Sequence, residues 1–145
     1  MEYINILLVD DEIEFVETLA KRLNKRGFNV SYVTSAKEAI KRIKNEPYDV
    51  AIIDVRMPEM DGITLLGEIK QMQPLLEVLL LTGYASIQSG IEGMKKGAFD
   101  YLMKPTDMDE LVKKIRDAYE RKKQQDDKIS KAEVRTSFPK PGQQY

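Results

Sequence analysis

Five short runs of aliphatic residues recur along the chain, and amphipathic stretches separate them. Runs such as ILLV, VAIID and VLLL are almost continuously hydrophobic, which is typical of strands buried on both faces of a sheet. In the stretches between them, apolar residues return at every third or fourth position, which is typical of helices packed along one side. The predicted strands are Ile4–Val9, Phe28–Val33, Val50–Asp54, Glu77–Leu81 and Phe99–Met103.

Each predicted strand is followed by a predicted helix. The apolar faces of the first four helices lie within Phe15–Leu23, Ala36–Ile43, Leu65–Ile69 and Ile87–Met94. A fifth helix is predicted to start near Thr106, because Thr106 and Asp109 have the spacing of a capping box. Five alternations predict an α/β fold with a parallel sheet covered on both faces, since each helix must bury its apolar stripe. Units of this size suit a flavodoxin-like, doubly wound (βα)5 three-layer sandwich with strand order 2-1-3-4-5, although the order itself is not visible in sequence.

The apolar pattern fades after Arg121. Residues 1–121 are therefore predicted to form one domain, and residues 122–145 a helix extension followed by a flexible polar tail or linker. No heptad pattern persists in this second segment, so a coiled coil is not expected.

Charge and composition narrow the possible functions. The 145 residues hold 23 basic and 24 acidic side chains, so no overall attraction to nucleic acid or to an anionic membrane is expected. No apolar run is long enough to cross a bilayer and no secretory signal is visible, which favours a cytoplasmic location. Cysteine and histidine are both absent, which excludes disulfides, thiol or histidine-activated nucleophiles and zinc sites with those ligands.

Polar residues stand at the carboxyl ends of four predicted strands, where a doubly wound sheet forms its binding sites. They are Asp10, Asp11, Glu12, Asp54, Thr82 and Lys104. Each alone has an ordinary structural explanation as a helix cap, a turn residue or a solvated strand end. Their coincidence at one edge of the sheet indicates a site.

The charges of these residues suggest what the site holds. Two carboxylates about 4 Å apart repel each other by roughly 4 kcal/mol at an effective dielectric near 20, more than Lys104 alone offsets once a third acid is added. A few carboxylates with room for water and phosphate oxygens suit Mg²⁺ better than Ca²⁺. A bound dication lets an anionic phosphoryl group approach, and Asp54, central in the sheet, is then the predicted nucleophile that forms an acyl phosphate.

The stretches LLVDDE, AIIDVRMPEMDGITLL, LLTGYAS and GAFDYLMKP resemble the four signature segments of a two-component response regulator receiver domain. The similarity covers residues 3 to about 121. It implies a phosphoacceptor signalling domain rather than an enzyme, in which Asp54 receives its phosphoryl group from a sensor histidine kinase. It also implies a Mg²⁺ cofactor bound directly by Asp11, Asp54 and the backbone carbonyl of Arg56, and through water by Asp10.

The same resemblance assigns a role to residues near the ends of the fourth and fifth strands. Thr82 and Lys104 would bind phosphoryl oxygens, Tyr101 matches the switch aromatic residue, and the bond before Pro105 is expected to be cis. Phosphorylation would then change the face made by the fourth helix, the fifth strand and the fifth helix. A partner or a second copy of the chain, giving a homodimer, would contact that face.

Two further side chains are expected to lie above the acyl phosphate. Arg56 and Tyr84 each follow a site residue by two positions, and the hypothesis is that they control access of the hydrolytic water.

Two segments resemble most closely the receivers of transcription activators that work with the alternative sigma factor of nitrogen regulation. They are DVRMPEMDG and TGYASIQSGIEGMKKGAFDYLMKP. The ATPase and DNA-binding domains of that family are not in this sequence, so the chain is expected to be a single-domain regulator or an excised receiver. The expected output is transcriptional, without direct nucleic acid or membrane binding by this chain. A stand-alone phosphorelay intermediate is the alternative.

Three other classes of function remain as alternatives. A haloacid-dehalogenase-type phosphatase also uses an aspartate nucleophile with Mg²⁺, but Arg56 stands where its second acid belongs. A flavodoxin-like FMN carrier is disfavoured because the acids of the first loop would repel a phosphate. An adaptor with a vestigial pocket is disfavoured by the complete set of acceptor residues.

Overall fold

The computed structural model describes residues 3–83 and 86–137 of the chain. Its strands are β1 (Asn5–Val9), β2 (Asn29–Val33), β3 (Val50–Ile53), β4 (Glu77–Thr82) and β5 (Asp100–Met103). Its helices are α1 (Ile13–Lys25), α2 (Ala36–Asn45), α3 (Gly62–Met72), α4 (Ile87–Lys95) and α5 (Met108–Ser137). All predicted strands and helices are therefore present, and each strand end differs from the predicted one by at most one residue.

The five strands form one parallel sheet in the order β2-β1-β3-β4-β5, which confirms the predicted flavodoxin-like topology. The register pairs Val9 with Ile53, and the amide of Asp54 donates a hydrogen bond of 2.9 Å to the carbonyl of Val9. On the other side of the sheet, the amide of Lys104 donates to the carbonyl of Thr82 at 2.9 Å. The hydrogen bonds between neighbouring strands thus continue past the strand ends, and they bring the predicted site residues to the edge formed by the carboxyl ends of the strands.

Alternate residues of the central strands pack on opposite faces of the sheet, as the pleat requires. Leu7, Ile53 and Leu80 face one layer, which contains the apolar sides of α2 and α3. Leu8 and Leu79 face the other layer, which contains the apolar sides of α1 and α5. The core is therefore divided between two helical layers with the sheet between them.

Helix α5 differs from the prediction at its first residue. It begins at Met108, so the N-cap position falls on Asp107, whose carbonyl accepts a hydrogen bond from the amide of Leu111. That is one residue beyond the Thr106 cap that the sequence predicts. At its other end the helix continues to Ser137, and its side chains over residues 123–133 are exposed.

Two ion pairs fasten the middle of α5 to the edge of the sheet opposite the predicted site. Arg121 pairs with both carboxylate oxygens of Glu77, whose side chain is buried. Lys122 lies 3.3 Å from Asp49. Within the described residues, no helix combines the length and the apolar character needed to cross a membrane.

Candidate functional site

Two aspartates are buried at the carboxyl ends of neighbouring strands. Asp10 follows β1 and Asp54 follows β3, and they are 4% and 5% exposed. One oxygen of Asp10 accepts a hydrogen bond of 2.9 Å from the amide of Glu12, just before α1. Asp10 therefore stabilises the turn that leads into the helix but does not cap it, because the N-cap of α1 is Glu12, without a side-chain cap. Its second oxygen faces the site.

Lys104 is the cation of this site. Its Nζ lies 2.6 Å from Asp10 Oδ2, 3.3 Å from Glu12 Oε1 and 3.7 Å from Asp54 Oδ2. The side chain is only 12% exposed. Lys104 is therefore not a solvated strand end, and the sequence-based expectation that it faces the acids is confirmed.

The protonation of Asp10 and Lys104 reflects burial and mutual attraction. Burial raises the pKa of Asp10, and this effect exceeds the opposing hydrogen bonds from Lys104 and from the Glu12 amide. Burial alone would lower the pKa of Lys104, but its hydrogen bond to Asp10 and the neighbouring acids outweigh burial and raise it. The lysine is therefore charged at neutral pH, and the acids around it carry an unfavourable excess of negative charge.

The carboxylates fit a divalent cation. Oxygens of Asp10, Glu12 and Asp54 lie within 4.8 Å of one another. Oδ1 of Asp54 is buried and accepts no hydrogen bond from the described residues. A buried, unsatisfied carboxylate oxygen is costly, and a hard cation with oxygen ligands such as Mg²⁺ satisfies it.

The two acids that follow Asp10 are placed differently. Glu12 belongs to the group of three carboxylates, although the resemblance to receivers assigns it no role. Asp11 is exposed and is not part of that group, so its role as a direct metal ligand stays a prediction. The Arg56 side chain is exposed beyond β3, and the role of its carbonyl likewise stays a prediction.

Thr82 is fully buried at the end of β4. The N-cap of α4 is Ser86, whose hydroxyl accepts a hydrogen bond of 3.0 Å from the Ser89 amide. Thr82 does not cap that helix, so the simple structural explanation for it fails. The expected role of Tyr84 falls outside the described residues.

The aromatic residue on β5 lies close to α4. Tyr101 is half-buried and packs against the core layer that contains α2 and α3. A β-carbon placed on Gly90 of α4 would lie 3.8 Å from its ring. The peptide bond between Lys104 and Pro105 is cis, as the resemblance implies.

Two residues near the site were not recognised from the sequence. Gly62 begins α3 directly against the backbone of Asp54, which the Asp-Gly pair before an apolar stretch could have signalled. Phe15 was assigned to the apolar face of α1, but its ring lies beneath the Lys104 ammonium. No sequence signal separates such a residue from its apolar neighbours.

A buried aspartate at the end of a central strand, a facing lysine and a buried threonine lie at the same edge of this sheet. Residues 6–116 match the family described as the response regulator receiver domain. The chain belongs to this family. The relatives include regulators of the nitrogen-regulation type, which confirms the predicted resemblance to the receivers of such transcription activators.

Individual relatives agree with this assignment. The chain is 43% identical over 108 residues to the transcriptional regulatory protein ZraR of Escherichia coli K12, covering 74% of this chain and 24% of that protein. The chain thus spans about a quarter of the length of this relative. A CheY-like receiver domain protein from Methanospirillum hungatei JF-1 superposes with a TM-score of 0.82 at 28% identity, covering 86% of this chain and 99% of the other.

A third comparison concerns a chemically modified relative. A response regulator from Burkholderia pseudomallei, solved with a phosphorylated aspartic acid, a calcium ion and citrate, is 29% identical to this chain. The two structures superpose with a TM-score of 0.75, and the matched region covers 94% of this chain and 75% of the Burkholderia chain.

Proposed function

We propose that this receiver accepts a phosphoryl group on Asp54 from a sensor histidine kinase in a Mg²⁺-dependent reaction. The observation that carries the proposal is the buried Oδ1 of Asp54, which has no hydrogen-bond partner among the described residues. An oxygen in that state lacks the partner that a bound cation would supply. The Burkholderia pseudomallei relative, described with a phosphorylated aspartic acid and a calcium ion, supports the same chemistry.

The reaction is a phosphoryl transfer to a carboxylate. An oxygen of Asp54 forms a bond to phosphorus while the phosphorus–nitrogen bond of the donor phosphohistidine breaks. The electron pair of that bond returns to the imidazole nitrogen, and the product is an acyl phosphate on Asp54. The chain has no histidine, so it receives the group and does not serve as the phosphohistidine donor.

Lys104 and Thr82 are proposed to hold the transferred group. The Lys104 ammonium is 3.7 Å from Asp54 Oδ2, and a modest movement toward Asp54 lets it contact a phosphoryl oxygen. Thr82 ends the strand next to β3, and its hydroxyl is a donor for a second oxygen. Both residues then stabilise negative charge on the group without forming a covalent bond to it.

Mg²⁺ would be held directly by Asp11, Asp54 and the carbonyl of Arg56, and through water by Asp10. The cation supplies positive charge that offsets the acids and the incoming phosphoryl oxygens.

The output is proposed to run through the face formed by α4, β5 and α5. This face carries exposed apolar side chains: Ile87 is 85% exposed, Ile91 53%, Met94 47% and Met103 60%. Exposed apolar groups that lie close together favour contact with a protein. The partner is a further domain, another protein or a second copy of this chain, and the similarity to transcriptional regulators favours transcription as the process controlled.

Intact-mass measurement after incubation with acetyl phosphate tests the acceptor assignment. The wild-type chain is expected to gain one phosphoryl group with Mg²⁺ and none with a chelator, and Asp54→Asn is expected to gain none. Asp61→Asn is the matched control, because Asp61 is an exposed N-cap of α3 and asparagine keeps the cap. Labelling that persists in Asp54→Asn would contradict the proposal.

A further inference from the structure

The ring of Phe15 lies beneath the ammonium group of Lys104. Nζ is 4.0 Å from the ring centroid, well inside the distance of about 6 Å within which cation–π attraction acts. The same ammonium also contacts Asp10, its nearest carboxylate. Lys104 is therefore held from one side by carboxylates and from another by an aromatic face.

Phe15 is fixed in that place by its position on α1. It is the third residue of the helix, and Val16 and Leu19 beside it are buried in the core layer shared by α1 and α5. Phe15 itself is partly buried against that layer. The ring is thus anchored by packing, and its free face is available to the ammonium.

The ring also borders two spaces. One is a cleft of about 370 Å³ between α1 and the segment Lys104–Met108, which Lys104 lines as well. The other is a small void bordered by Asp10 and Asp54. Without the ring, the space beside the lysine would be larger, and its side chain would gain freedom to leave the carboxylates.

The contact distances show why an aromatic contact suits this lysine. The ammonium is closest to Asp10 at 2.6 Å and farther from Asp54 at 3.7 Å. To bind a phosphoryl oxygen on Asp54, the Lys104 ammonium must move away from Asp10 and toward Asp54. A ring face attracts the charge without using one of its three N–H donors, so the attraction persists while the hydrogen bonds exchange.

We propose that Phe15 is a positioning residue for Lys104, which keeps the ammonium within reach of a phosphoryl group on Asp54. This inference rests on the proposed phosphoacceptor function. The alternative is that Phe15 only fills space in the core.

Kinetics of labelling by acetyl phosphate with Mg²⁺ separate these two roles. Phe15→Leu keeps an apolar side chain but lacks the ring, and we expect its labelling rate to fall about five-fold, which corresponds to about 1 kcal/mol. Phe15→Tyr keeps the ring and is expected to label at nearly the wild-type rate. If Phe15→Leu does not fold at the assay temperature, Phe15→Met takes its place with the same expectation.

Phe99→Leu is the matched control. Phe99 is also partly buried against the layer of α1 and α5, and it carries the guanidinium of Arg121 at 4.5 Å, but at the opposite end of the sheet. This variant is expected to lose stability and to keep the wild-type labelling rate.

A second comparison uses Lys104→Met, which removes the charge. In that background Phe15→Leu is expected to slow labelling no further, because the contact between the lysine ammonium and the ring is already absent. The inference is overturned if Phe15→Leu labels like the wild type, or if it slows labelling equally in the Lys104→Met background. Failure of the wild-type chain to label would instead overturn the proposed function itself.

Discussion

Gly62 packs so tightly against Asp54 that a β-carbon on residue 62 would overlap with the Asp54 carbonyl oxygen. The same β-carbon would lie 2.9 Å from the Cα of Val55, and the amide of Gly62 donates a hydrogen bond of 2.7 Å to the Val55 carbonyl. The first residue of α3 is thus pressed against the backbone of Asp54, the proposed phosphoacceptor. A side chain at position 62 would displace Asp54.

Gly62→Ala is therefore expected to impair both stability and phosphorylation. The free energy of unfolding should fall by about 2 kcal/mol, and labelling of Asp54 by acetyl phosphate should slow. Gly67→Ala is the control on the same helix, where the nearest atom to a new β-carbon is Lys96 Cδ at 4.0 Å. That variant should be neutral or more stable by up to about 1 kcal/mol. Equal urea midpoints and labelling rates for the two variants would contradict the role of Gly62.

Thr82→Ala is expected to separate phosphorylation from the conformational response. Removing the hydroxyl leaves the nucleophile and the carboxylates in place, so Asp54 should still be labelled with Mg²⁺. The amide chemical-shift changes over residues 86–104 on adding beryllofluoride should shrink, because the hydroxyl is what favours the bound state. Thr64→Ala, at an exposed position of α3, is the control. Equal shift changes in wild type and Thr82→Ala would show that the Thr82 hydroxyl does not couple the bound group to this conformational change.

Two glycines of α4 are expected to respond oppositely to alanine. A β-carbon on Gly93 would lie 2.5 Å from Leu80 Cδ1, whereas one on Gly90 would lie at an ordinary 3.8 Å from the Tyr101 ring. Gly93→Ala should destabilise the protein by about 1–3 kcal/mol by forcing α4 or Leu80 to move. Gly90→Ala should stabilise it by up to about 1 kcal/mol through helix propensity. Thermal denaturation of the two variants measures this difference, and equal melting temperatures would count against close packing at Gly93.

Truncation of α5 should show where the domain ends. A chain that stops after Lys123 keeps Arg121 and Lys122 and should retain the wild-type melting temperature and labelling rate. A chain that stops after Glu120 loses the pair of Arg121 with the buried Glu77 and leaves Lys70, at 3.4 Å, as the cation beside it, so it should melt several degrees lower. If the chain that stops after Lys123 is also strongly destabilised, the exposed part of α5 packs on the domain.

Asp10→Asn should make the metal-free protein more stable at neutral pH. Because folding raises the pKa of Asp10, its stabilising contribution is present below the ordinary aspartate pKa and is lost as the pH rises through the raised value. Asparagine keeps an acceptor for the Glu12 amide and removes the charge that faces Asp54 and Glu12. In chelator the variant should melt a few degrees above the wild type at pH 7, and the difference should vanish below about pH 4. A lower melting temperature at pH 7 would show that the pair with Lys104 dominates.

The strands and the edge that carries the site could be predicted because both depend on local patterns. Continuous aliphatic runs mark buried parallel strands, and the polar residues that end them fall at one edge whichever order the strands take. Asp10, Asp54 and Lys104 meet there as expected.

The features that escaped prediction depend on contacts between distant segments. The buried pair of Glu77 with Arg121 joins residues 44 positions apart. Glu12 rather than Asp11 joins the group of carboxylates because of side-chain placement that residue order does not reveal. A helix extension after residue 121 is predicted from the sequence, but its length is not, because no apolar stripe marks its end and Lys, Gln, Glu and Ala there favour helix by propensity alone.

The ion pairs of Arg121 and Lys122 attach the middle of α5 to the sheet, and the helix beyond them extends to Ser137, about 24 Å away at 1.5 Å per residue. A tilt of about 5° at this attachment would displace the far end by about 2 Å at that rise per residue. A small change in the packing of α5 on the domain would therefore be enlarged at Ser137.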